Sequence, residues 1–153
     1  MTPGLALLVL LLLLACAAGV YYTFRSLKPF DRQYVFEKVA KHLINQGRRA
    51  LNEEDRCMYR ARDGAMCALG CLIKDRYYSK SLEGGNILDD HIQKAVERSL
   101  GTKLGPGESG MYSSDLQFLA ALQRIHDRKA PEEWRHHLRT FARAYDLRVP
   151  CWL

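Results

Sequence analysis

Signatures of the common catalytic folds are missing from this sequence. It holds no G-x-S-x-G, no H-E-x-x-H, no P-loop and no dinucleotide fingerprint, so the hydrolase, zinc-peptidase, NTPase and nicotinamide classes that those motifs mark have no foothold. Proline is scarce and glycine no more than ordinary, five and eleven in 153 residues, too few for a collagen-like or low-complexity chain. There is no internal repeat, and one leucine run is the only biased tract. A hydrophobic share of 48% with 26% charged residues excludes intrinsic disorder, and the length suits a single compact domain.

Positive charge is also absent where it would be informative. Met1, Thr2, Pro3 and Gly4 precede an apolar run without any Lys or Arg, whereas Arg25, Lys28 and Arg32 follow it closely. Residues 5–14 contain eight leucines, and the run continues without a charge to Phe24. About 20 helical residues match a hydrocarbon core of roughly 30 Å, so the run predicts an N-terminal transmembrane helix with Tyr21 and Tyr22 at head-group depth. The charge bias then predicts a single-pass membrane protein whose domain faces the cytoplasm. Two other readings share the stretch. Ala15-Cys16-Ala17 fits a signal-peptide cleavage pattern. Leu13-Leu14-Ala15-Cys16 resembles a loose lipobox, in which Cys16 would be lipidated and the protein exported.

The division of the chain expected on this basis is an anchor or signal segment over 1–25, a basic juxtamembrane linker over 26–32, one helical domain over 33–149 and a tail over 150–153. Helical spacing is clear in three places. Val35, Phe36, Val39, Ala40, Leu43 and Ile44 recur at three and four before Gly47; Leu88, Ile92, Ala95, Val96 and Leu100 do so before Gly101; Leu116, Leu119, Leu122 and Ile125 follow Ser114 and Gln117, read as a capping box. Pro131, Glu132 and Glu133 open a last helix with the apolar stripe Trp134, Leu138, Phe141 and Tyr145. Asp63-Gly64 is a type I′ signal and predicts a small β-hairpin over 57–72, although the apolar second arm also suits a buried helical turn. The expected fold is therefore mainly α: a compact domain of four to five helices with a small hairpin, preceded by the membrane helix.

Chemistry-bearing residues are few. Cys57, Cys67 and Cys71 have a spacing that zinc tolerates, but a two-residue loop at Asp63-Gly64 places Cys57 on the face opposite Cys67 and Cys71, which argues against one shared site. In a reducing compartment these thiols read as small apolar core residues, and no cofactor is expected. For a nucleophilic enzyme, Cys71 with His126 and Asp127 is the assembly to examine, although spacing gives it no support. The last helix carries Arg135, Arg139 and Arg143 at intervals of four, one basic face opposite the apolar stripe, with His136, Arg128 and Lys129 near enough to widen it and His137 adjacent. Such a face is ordinarily a solvated one. Its functional reading is a docking surface for an acidic protein partner or anionic lipid. A net charge of +6 without a recognition module does not favour nucleic acid.

The residues Cys57-x-Tyr59-Arg60, Gly64-x-x-Cys67-Ala68-x-Gly70-Cys71-Leu72-Ile73-x-Asp75, Tyr78 and Glu83-Gly84 resemble a group of small uncharacterised proteins of phages and prophage-bearing bacteria. The likeness runs from about residue 33 to residue 147, through Phe118-Leu119-x-x-Leu122-Gln123-x-x-His126-Asp127 and Trp134-x-x-x-Leu138. The group has no assigned activity. The resemblance implies a viral or bacterial origin and a compact helical domain, and transfers no catalytic residue; the N-terminal apolar run departs from the group. The function expected is a membrane-tethered helical interaction module acting on a host target, with a small cysteine- or histidine-dependent hydrolase or metal-binding enzyme as the alternative.

Overall fold

The computed structural model describes residues 28–105 and 113–153, together with Leu10, Leu13, Leu14 and Cys16. Four α-helices are described: α1 (Arg32–Gln46), α2 (Asp90–Leu100), α3 (Ser114–Arg128) and α4 (Trp134–Ala144). Each starts and stops for a local reason. The Asp31 carboxylate accepts from Tyr34 N at 2.9 Å, and Gly47 ends α1 at φ 64°, a left-handed conformation that glycine adopts without a Cβ penalty. Gly101 ends α2 in the same way at φ 70°. Ser113, one residue before the predicted cap, accepts from Leu116 N at 3.3 Å through its hydroxyl. Ser114 instead accepts from Arg32, whose guanidinium also pairs with Asp115 at 2.8 Å and ties the start of α1 to the start of α3.

The apolar stripes of α1, α3 and α4 meet in one core. Phe118 of α3 stands edge-on to Phe30, Phe141 and Tyr145 at 5.9, 5.1 and 5.0 Å, while Phe36 stacks on Phe141. Trp134, Phe36 and Phe118 are fully buried. The packing also reaches past both ends of residues 33–149. Lys28 N–H donates to Gly101 O at 3.2 Å, and Leu153 is buried while Arg135 donates to Trp152 O and Leu153 O at 2.5 and 3.0 Å.

Two expectations are overturned. No strand exists among the described residues, so the β-hairpin over 57–72 is not formed. The chain does fold back at Asp63 and Gly64, but around three residues rather than two. Ala61 N–H donates to Ala65 O at 2.8 Å and Cys67 N–H to Tyr59 O at 3.3 Å, leaving only isolated bridges at Arg60 with Met66 and at Leu51 with Cys57. A ladder cannot extend because its partners are taken. Tyr59 N–H donates to the Glu83 carboxylate at 2.8 Å instead of to Cys67 O, which accepts from Cys71 N–H at 3.2 Å as the chain enters the 3₁₀ turn Gly70–Leu72.

The second correction concerns the membrane. Among the described residues no helix is long and apolar enough to cross a bilayer, which counts against the transmembrane helix, the single-pass assignment and the cytoplasm-facing placement built on it. The longest described helices, α1 and α3, have 15 residues each; at 1.5 Å per residue they reach about 22 Å, short of a roughly 30 Å core, and both carry charges. Most of the apolar run lies outside the described residues, as do Ala15 and Ala17 of the cleavage pattern; Cys16, the lipidation candidate, is exposed.

Candidate functional site

His126 lies near the C-terminal end of α3 and is fully buried, with its ring stacked on Trp134 at 5.6 Å. Its tautomer follows from its partners. Ala50 N–H donates to Nε2 at 3.0 Å, so that nitrogen presents its lone pair, and Nδ1 donates its proton to the Asp127 carboxylate at 2.8 Å. The same Asp127 oxygen accepts from Gln123 Nε2 at 2.7 Å, and Gln123 Oε1 accepts from Leu69 N at 3.1 Å. A short polar chain thus links α3 to the turn that follows Cys67.

Cys57, not Cys71, is the cysteine brought to His126 and Asp127. Their ligand atoms all lie within 4.8 Å of one another. The three-residue loop accounts for the neighbourhood, since shifting the register by one residue turns Cys57 and Cys67 to the same side, and both line one cavity. Burial, followed by hydrogen bonding to Asp127 and its negative charge, pushes the Cys57 thiol up to about 12. Cys71 is also pushed up to about 12 by burial, and its thiol donates to Ala68 O at 3.2 Å. Cys67 is fully buried, its sulfur accepts from Gly70 N at 3.2 Å, and desolvation holds its thiol far above the ordinary range.

This geometry does not suit nucleophilic catalysis. The thiol nearest the imidazole stays protonated, and both ring nitrogens are already engaged. It suits a metal no better. Ligation through Nδ1 would move the proton to Nε2, where it would point at the Ala50 N–H, donor against donor. The Cys57, Cys67 and Cys71 set considered from spacing is likewise not gathered at one point: Cys71 is absent from the cavity that the other two line.

That cavity measures about 380 Å³ and lies between α3, the segment around Cys57 and Tyr59, and the backbone of Gly84 and Gly85. Gln123, Arg124, Asp127 and Arg128 form one side of it, a pairing of positions four apart on α3. Sequence reasoning passed over Arg124 and assigned Arg128 to the margin of the α4 stripe, whereas it lines this cavity. Their spacing is visible in the sequence, but the wall opposite them is built by residues 57–59 and 84–87, which only the folded chain places there. Tyr59 donates its hydroxyl to Gly85 O at 3.0 Å and closes that wall, and burial raises it well above an ordinary phenol.

The basic stripe of α4 is exposed as predicted, yet its three arginines differ. Arg135 is occupied by the carbonyls of Trp152 and Leu153, whereas Arg139 and Arg143 have no ion pair among the described residues. No family model, curated protein or solved structure matches the chain.

Proposed function

We propose that this protein is a non-catalytic helical interaction module, of the viral or bacterial origin that its sequence resemblance implies, which docks an acidic surface of a host protein through Arg139 and Arg143 of α4. One observation carries the reading: two guanidiniums stand one turn apart on an exposed face, without acidic partners among the described residues, on a helix whose other side is anchored by Trp134, Leu138 and Phe141 in the core. Acids elsewhere on the surface are largely spent, as in the pairs of Asp63 with Arg48, Asp75 with Arg60 and Glu53 with Arg62. A rigid helix presenting unpaired charge favours fast, salt-dependent association. The enzyme alternative has less support, because His126 is locked by Ala50 and Asp127 and the adjacent thiol is held protonated.

The test is binding of an Asp- and Glu-rich peptide at low ionic strength to the wild type and to the double variant R139Q/R143Q, with Arg135 retained because it holds the C-terminal residues. The expected result is a loss of about fivefold or more in affinity, in line with two surface charge contacts of a few tenths to one kcal/mol each. Unchanged binding, or stronger arginine-dependent capture by anionic vesicles than by the peptide, overturns the reading.

A further inference from the structure

The cavity beside Asp127 is positively charged in a way that neither the core nor the α4 stripe requires. Arg124 and Arg128 line it, both exposed and neither with an ion pair or hydrogen bond among the described residues. Arg49 stands near enough to Cys57 to act on its charge, with its guanidinium turned to Lys129 O at 3.2 Å. Among the lining residues Arg124 and Arg128 stand against one carboxylate, Asp127, and its near oxygen is already engaged by His126 and Gln123. One positive charge is left over.

The geometry points to a binding site for a small organic phosphomonoester, its phosphate held between the guanidiniums of Arg124 and Arg128 at the mouth and its organic part inside the cavity. Three features select this class. Arginine forks bind phosphate oxygens in pairs, and positions four apart on a helix bring two forks to one group. The interior offers Met58, Ile87 and Ala120 as an apolar wall. The volume of about 380 Å³ lies at the lower end of the range of small-molecule sites and leaves no room for a polymer. Gly84 and Gly85 keep the opposite rim free of side chains, and a Cβ at Gly85 would press on Ile92 at 3.0 Å. These residues are separate from the α4 stripe, so either site can fail without the other.

Titration calorimetry with phenyl phosphate, inorganic phosphate and benzoate at fixed low ionic strength tests the assignment on the full chain. Phenyl phosphate should bind saturably and most tightly of the three. R124Q/R128Q should weaken it at least tenfold, and R139Q/R143Q, which removes the same charge from α4, should change it less than twofold. Amide chemical shifts in the unaltered protein give a second readout that does not depend on a variant folding. They should move at Gly84, Gly85 and Ile87 and along residues 120–128. Absence of saturable binding, equal losses in the two double variants, tighter binding of benzoate, or shifts centred on α4 would each overturn the proposal.

Discussion

Gly70 shows how a single position can decide a fold. A Cβ built there would lie 1.9 Å from the Tyr59 carbonyl oxygen, a backbone atom with nowhere to move, since Tyr59 is also held through its N–H by Glu83 and through its hydroxyl by Gly85. Gly70→Ala should therefore cost about 3 kcal/mol, the upper range for overpacking, read as a fall in the urea midpoint. Glu83 is the complementary case. Its two oxygens accept from Tyr59 N, Arg60 N and the Tyr78 hydroxyl, at 2.8, 3.0 and 2.7 Å, so one surface-type residue organises the segment read as a hairpin. Nothing in its spacing announces this, because the partners lie more than twenty residues upstream or within an irregular loop.

At the scale of elements, helices were legible where apolar periodicity coincided with a terminator. Gly47 and Gly101 end α1 and α2 where the spacing places them. The start of α3 was misplaced by one residue, since Ser113 and Ser114 are equally good caps by type and the difference lies in Arg32, which engages Ser114 from α1. Ser113→Ala should cost about 1 kcal/mol in thermal or urea unfolding and Ser114→Ala clearly less; the reverse order would return the cap to Ser114. The folded-back segment over 57–67 was harder. Asp63 does shape its turn, accepting from Ala65 N at 2.9 Å with Arg48 paired to it, and these bonds lower its carboxyl below the usual value. Type I′ chemistry and a three-residue turn share the same Asp-Gly dipeptide, and the choice depends on where Glu83 and Cys71 take the backbone partners.

For the whole molecule, the half-buried His42 ties α1 to the turn by donating Nε2–H to Met66 O at 2.9 Å. Desolvation, with a smaller contribution from the Lys38 ammonium, lowers its pKa from 6.5, partly offset by the bond to Met66. A depressed histidine binds fewer protons in the folded state than in the unfolded one. Its contribution is thus present above about pH 6.5 and is lost as pH falls through the folded value. The urea midpoint should drop between pH 7 and pH 5, and His42→Gln, which keeps a donor for Met66 O and cannot titrate, should reduce that drop; an identical profile in the variant would remove His42 as its source. The membrane assignment also belongs to this scale. It rested on residues 5–24 and the charges after them, and among the described residues no helix has the length and composition to support it.

Helix identity, the α1, α3 and α4 core stripes and the basic face of α4 were determined by the sequence alone, because periodicity and caps act within a few residues of one another. Only the tertiary structure decided which cysteine meets His126 and Asp127, since a one-residue change in loop length exchanges the faces of every residue beyond it. It alone separated Arg135, consumed by the chain's own C-terminal carbonyls, from Arg139 and Arg143. It also faced Arg124 and Arg128 with a wall contributed by residues some forty to seventy positions earlier in the chain, a juxtaposition that has no local signature in sequence.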